Sequence, residues 1–170
     1  MRAYLKDINI ETSGSLPSIG SQAPDFELVT KDFTIVTLES FVGKNIILNV
    51  FPSLDTPICS ASIRRFNEEA TKLKDTVVVC ASMDSPFACL SFCDSYKIDN
   101  VIVGSDIRNR MLGANYGLTI IDSALAGMLA RAVVIIDQKQ KVIYSELVSN
   151  IDTEPNYDAA LEVLKKFQQL

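Results

Sequence analysis

Short apolar runs recur along this chain at intervals that leave room for a helix between them, and that rhythm constrains the fold more than any other feature. "NIILNVFP" (45–52), "TVVVCASMD" (76–84) and "NVIVGSD" (100–106) each have strand length. The first is apolar almost throughout, which predicts a central strand covered on both faces. "FTIVTL" (33–38) predicts a further strand. "ARAVVIID" (130–137) and "KVIYSEL" (141–147), joined by the polar "QKQ", predict a hairpin. Helices are predicted from Pro57 to about Lys74, with Ile63, Phe66, Ala70 and Leu73 on one face, and over about 86–97. Two more are predicted around "IRNRMLGANY" and through "YDAALEVLKKFQQL". Strands alternating with helices and closing on a hairpin predict an α/β fold, with a mixed central sheet flanked by helices. Residues 1–23 carry the turn-rich "TSGSLPSIGSQAP" and predict an N-terminal β-hairpin or arm. With no repeat, low-complexity segment or linker, the 170 residues read as one domain, 1–170.

Charge and cysteine usage narrow the function. A net charge of −5 supplies no field for phosphates, which argues against nucleic acid and anionic membrane as partners. No apolar run has the length of a membrane span, and "MRAYLKDINIETSGS" lacks the apolar core of a secretory signal, so a cytoplasmic protein is expected. In a reducing cytosol the four cysteines, Cys59, Cys80, Cys89 and Cys93, read as redox-active or packing residues rather than permanent disulfides. Zinc is disfavoured, because the chain has no histidine and no C-x-x-C pair. No metal or cofactor is expected.

The stretch "FPSLDTPICSASIRRFN" (51–67) singles out Cys59. Threonine is a preferred N-cap and proline fits the first helical position, so Thr56 and Pro57 make Cys59 the third helical residue. Free backbone N–H groups and the positive end of the helix dipole favour an anion there. This is a route to an activated thiolate without histidine. From spacing alone, a buried packing cysteine fits as well.

Pro52, Thr56 and Cys59 form P-x-x-x-T-x-x-C, and around it "NVFPSLDTPICSASIRRFN" resembles the thiol peroxidase subfamily of atypical two-cysteine peroxiredoxins. So do "ASMDSPFACLSFC" (81–93), "LARAVVIID" (129–137) and "LVSNIDTEPNYDAAL" (147–161), in the same order along the chain. The resemblance implies a thioredoxin-like fold and peroxide reduction. It makes Cys59 the peroxidatic cysteine, whose thiolate attacks the O–O bond and becomes a sulfenic acid. It gives the Thr56 hydroxyl a hydrogen bond to the sulfur and peroxide oxygen, makes Pro52 a shield against water, and places Arg131 beside the sulfur. Read alone, Arg131 would be a surface charge; Arg64 and Arg65 are expected to be solvated.

The resemblance also implies a resolving cysteine in the following helix, matching Cys93, and an intramolecular disulfide recycled by a thioredoxin-type reductant. Periodicity alone leaves Cys89 open as well, one turn before Cys93. Cys80 is expected to be a buried inert thiol. Cys59 and Cys93 are expected near the starts of two different helices. A homodimer is implied, and the apolar segment 116–130 suggests its interface, with core packing as the alternative. Phe51, Phe87 and Phe92 are expected around the site and favour organic hydroperoxides alongside hydrogen peroxide. Two other classes stay open: a disulfide oxidoreductase, which would normally carry C-x-x-C, and a redox sensor that signals to a partner.

Overall fold

The computed structural model describes residues 1–170. Its main sheet has seven strands, in the spatial order β4-β3-β7-β6-β5-β8-β9. In chain order the strands are β3 (Glu27–Thr30), β4 (Ile35–Thr37), β5 (Asn45–Val50), β6 (Thr76–Ser82), β7 (Ile102–Ser105), β8 (Ala132–Ile136) and β9 (Val142–Leu147). β5, β6 and β7 run parallel, while β8 lies antiparallel against β5 and β3 antiparallel against β7. The expected N-terminal hairpin is present as β1 (Arg2–Leu5) and β2 (Ile8–Glu11), an antiparallel pair outside the main sheet. The helices are α1 (Pro57–Ala70), α2 (Pro86–Tyr96), α3 (Met111–Asn115) and α4 (Tyr157–Gln168).

Alternation along the central strands divides the interior in two. Ile46, Leu48 and Val50 of β5 and Ala132, Val134 and Ile136 of β8 face one side, beneath the hairpin, α3 and the segment that follows it. Ile47, Val133 and Ile135 face the other side, where α1, α2 and α4 pack. Every residue of β5 is buried, because both faces are covered. All four cysteines belong to the second side, together with Phe66, Phe92 and Leu161. Each of these large apolar side chains stabilises the fold by about 1.5–3 kcal/mol relative to leaving it in water.

Several elements depart from the reading of the sequence. β3 was not anticipated, although Phe26, Leu28 and Thr30 alternate inward through it. Only 35–37 of the expected 33–38 strand pairs with β3; Phe33 sits in the turn with φ 61°, and Leu38–Phe41 coil into a 3₁₀ turn. α1 stops at Ala70 rather than Lys74. The amides of Lys72 and Leu73 bond back to Glu69 and Ala70, a tightening that ends the helix, and Asp75 at φ 47° turns the chain into β6. Of the apolar residues of 116–130, Tyr116, Leu118, Ile120 and Leu129 are buried in the first core, as the packing alternative expects, while Ile121 is exposed.

Candidate active site

β5 ends against the loop that becomes α1. Phe51 and Pro52 are buried at its end, and the following turn is tied down by Asp84, just beyond β6. One Asp84 carboxylate oxygen accepts from the Leu54 amide at 2.8 Å and from the Ser82 hydroxyl at 2.6 Å. The other accepts from the Ser53 hydroxyl at 3.3 Å. Thr56 then caps α1, its Oγ1 accepting from the Cys59 amide at 3.1 Å, with Pro57 at the first helical position. The hydroxyl proton points to the Ser53 carbonyl at 3.4 Å. Thr56 thus holds the backbone of Cys59, and the hydroxyl-to-sulfur bond implied by the resemblance is not among its hydrogen bonds. One turn later the Ser62 hydroxyl donates to the Cys59 carbonyl at 2.9 Å and accepts from the Asn49 amide at 3.2 Å, pinning α1 to β5.

Cys59 is completely buried, and so is the cation beside it. Arg131, immediately before β8, is 1% exposed, making it the largest fully buried side chain of the protein. Its Nη2 donates to Cys59 Sγ at 3.3 Å and to the Ile151 carbonyl at 2.9 Å, while Nε donates to the same carbonyl at 3.0 Å. No carboxylate pairs with it, and Nη1 has no partner. Burying a guanidinium costs several kcal/mol unless its charge and donors find partners. The Ile151 carbonyl and the Cys59 sulfur are the partners it has.

The remaining cysteines are free thiols buried on the same side of the sheet. Burial pushes Cys80 up to about 12, against a partial offset from the Asn49 amide. Burial and then the Asp84 carboxylate push Cys89 up to about 12. Burial also raises Cys93, with Lys31 pulling the other way. Cys93 is not near a helix start as expected. Counting from the Ser85 cap and Pro86, it lies in the last turn of α2, where its carbonyl accepts from the amides of Lys97 and Ile98. Lys97 closes the helix in the left-handed region, at φ 56°.

A groove of about 410 Å³ runs between the start of α1 and the end of α2, lined by Thr56, Pro57, Ser60, Arg64, Phe92 and Tyr96 among others. Phe51 lies beneath the site and Phe92 edges the groove. Phe87 instead faces away, 72% exposed and 5.0 Å from the ring of Phe33. Arg64 and Arg65 are not simply solvated: their guanidinium groups lie over the rings of Tyr96 and Tyr157, at 5.8 and 5.4 Å. Another cavity, about 380 Å³, lies at the far end of β5 around Asn45, Lys74 and Asp137 and holds no cysteine. Asp84 and the Ile151 carbonyl were not anticipated from the sequence. Asp84 carried a signal, as the only carboxylate between an apolar strand and a Ser-Pro helix start; a backbone carbonyl carries none.

A thioredoxin-like sheet with a helix-start cysteine set beside a buried arginine is the arrangement of a thiol oxidoreductase. The family described as Redoxin matches residues 18–161. The chain is 44% identical over 153 residues to the thiol peroxidase of Corynebacterium glutamicum, covering 90% of this chain and 92% of that one. The crystal structure of a peroxiredoxin-like protein from Aquifex aeolicus superposes with a TM-score of 0.92 at 39% identity, over 97% of this chain and 96% of that one. A thiol peroxidase from Chromobacterium violaceum has the same fold, with a TM-score of 0.91 at 22% identity over 99% and 98% of the two chains. The protein belongs to the redoxin family, in its thiol peroxidase branch.

Proposed function

We propose that this peroxiredoxin-type enzyme reduces hydrogen peroxide and organic hydroperoxides through a sulfenic acid on Cys59, as an antioxidant. One observation carries the reading. The fully buried Arg131 gives one nitrogen to the Cys59 sulfur and keeps another, Nη1, without a partner. A peroxide oxygen meeting the sulfur would find that donor in place. The thiolate attacks the distal oxygen, the O–O bond breaks, and the guanidinium stabilises the charge developing on the departing oxygen. Pro52 and Phe51 keep bulk water from the sulfur, and Thr56 fixes the helix start that presents it.

Cys93 resolves the sulfenic acid, giving a Cys59–Cys93 disulfide and water, and a thioredoxin-type dithiol reduces that bond by exchange. Cys93 is favoured over Cys89 because it lines a cavity with Lys31, Asp94 and Lys97, whereas Cys89, like it a buried residue, lines none of the cavities described. Cys80, fully buried in β6, takes no part. The catalytic unit is one domain, 1–170, with the arm included. A cytoplasmic setting suits four unpaired thiols. A homodimer would give the exposed Phe33, Ile35 and Phe87 something to pack against. The test is peroxide turnover with thioredoxin and its reductase, comparing wild type with Cys59→Ser: the variant should be inactive. A Cys59→Ser enzyme that still turns over would end the reading.

A further inference from the structure

The function proposed above uses two of the four cysteines and leaves Cys89 idle. Its position makes that unlike a packing thiol. Cys89 and Cys93 are one turn apart on the same buried face of α2, and both pack in the cluster that contains Cys59. Cys80, in the neighbouring strand β6, packs in the same cluster. Along a helix, residues four apart have Cβ atoms about 5–6 Å apart, while a disulfide needs about 3.5–4.5 Å. Folded α2 therefore forbids a Cys89–Cys93 bond, and a loosened α2 permits it.

Resolution supplies that loosening. Cys93 sits in the last turn of α2, and its carbonyl holds the αL cap; that turn opens as Cys93 moves to Cys59 in the resolving step proposed above. Once the turn opens, Cys89 leaves the apolar cluster and the neighbourhood of Asp84 that keep it protonated. It then stands four positions from Cys93, which is held in a cross-link whose other sulfur has a prepared place to go. The Cys59 sulfur returns to a site already built for it, at the capped start of α1 with Arg131 Nη2 at 3.3 Å.

We propose that Cys89 is a third redox cysteine, which takes over the disulfide from Cys59 and stores the oxidation within α2. The inference rests on Cys59 as the peroxidatic and Cys93 as the resolving residue. In the first step Cys59 thiolate and a hydroperoxide give Cys59 sulfenic acid and an alcohol or water. Cys93 thiol then displaces hydroxide, which leaves as water, and the Cys59–Cys93 disulfide forms. The Cys89 thiol loses its proton to solvent and attacks Cys93 Sγ. The Cys59–Cys93 bond breaks, the Cys89–Cys93 bond forms, and Cys59 departs as thiolate. No electrons enter or leave in this exchange. The consequence is an oxidised enzyme whose peroxidatic site is rebuilt, with the disulfide carried on the segment that has already opened to solvent.

The experiment counts peroxide and maps sulfur. Reduced protein, freed of reductant, receives two equivalents of hydrogen peroxide per chain, then dimedone, and is digested with trypsin without reduction. Cleavage after Lys44, Arg64, Lys74 and Lys97 puts Cys59 in peptide 45–64 and the other three cysteines in peptide 75–97. Wild type should consume both equivalents. Peptide 75–97 should appear short of two hydrogens, with fragment ions assigning the bond to Cys89–Cys93, and peptide 45–64 should carry dimedone on Cys59. Cys89→Ala and Cys89→Ser should consume one equivalent and accumulate the two peptides joined through Cys59–Cys93. Wild type that stops at one equivalent with that same joined pair overturns the relay and leaves the proposed function standing. A bond from Cys80 overturns it too. Absence of the Cys59–Cys93 link in both variants shows instead that the resolving assignment beneath it has failed. The mapping of wild type decides the question even if neither variant folds.

Discussion

Replacing Arg131 by methionine removes the buried cation while filling nearly the same space. Its guanidinium nitrogen lies 3.3 Å from the Cys59 sulfur. At an effective dielectric constant of 20, opposite unit charges at that distance attract by about 5 kcal/mol. The variant keeps the helix start and admits some water, so we expect a loss of about 2–4 kcal/mol, in line with removal of one preorganised donor. That corresponds to a peroxide step slower by about thirty- to a thousand-fold. Stability moves far less. The Ile151 carbonyl loses both its donors, at about 1–3 kcal/mol, but a guanidinium with an unpartnered Nη1 is no longer buried. Stopped-flow reduction of peroxide under single turnover measures the first effect and thermal melting the second. Arg131→Lys, which keeps the charge and loses the planar fork, should fall between. A folded Arg131→Met variant within threefold of wild type would refute the electrostatic argument outright.

Thr56→Val removes the only side-chain cap of α1 and should cost about 1 kcal/mol of stability, whereas Thr56→Ser keeps it. Equal melting temperatures for the two would contradict the capping role, and equal peroxide rates would confine Thr56 to that role. Asp84→Ala frees Ser53 and Leu54; we expect about 1.5–3 kcal/mol of lost stability and a slower peroxide step, read by melting and stopped flow, with Asp84→Asn milder. Alkali should destabilise the reduced protein. Cys80 and Cys89 are raised to about 12, so the fold holds their protons more tightly than the unfolded chain does. Their contribution is intact below about pH 8.5 and lost as pH rises towards 12, at up to about 2.7 kcal/mol per pH unit for two thiols. Burial raises Cys93, Tyr116, Tyr144 and Tyr157 as well, and these add to the loss at the alkaline end. Urea unfolding with reductant present should show this slope, and Cys80→Val should lessen it; a flat profile from pH 9 to 11 would contradict the burial argument.

How far the sequence reaches differs from residue to residue. β5, β6, β7 and the β8–β9 hairpin were legible because apolar runs with turn signals leave little choice at that length. The turn between β8 and β9 is made by Asp137, whose carboxylate accepts from the Lys139 and Lys141 amides. β3 was missed because its four residues include one charge and one threonine, although its alternation was readable. The Thr56–Pro57 start of α1 was readable by capping chemistry, and so was the Ser85–Pro86 start of α2. The same count placed Cys93 at the far end of α2, and its position was misjudged because the helix was taken by its beginning. Arg131 could not be found from the residues alone. Its burial depends on a carbonyl 20 positions later in the chain, and only resemblance carried it to the site.

The division of the interior by the sheet bears on how this molecule would withstand repeated use. Every cysteine, and both helices that would shift in the cycle proposed above, lie on one side. On the other, the hairpin is closed by the bond from Thr12 to Met1, the chain just after it is fastened to the 116–130 segment from Ser13 to Thr119, and Tyr4 ties the hairpin to Ser149 and Ile151. A rearrangement confined to α2 and the start of α1 would leave those bonds in place. Amide hydrogen exchange during turnover should therefore quicken in α2 and at the start of α1, while the hairpin exchanges as slowly as at rest. For anyone wishing to tether this enzyme to an electrode or a bead, the N-terminal hairpin is the place to hold it.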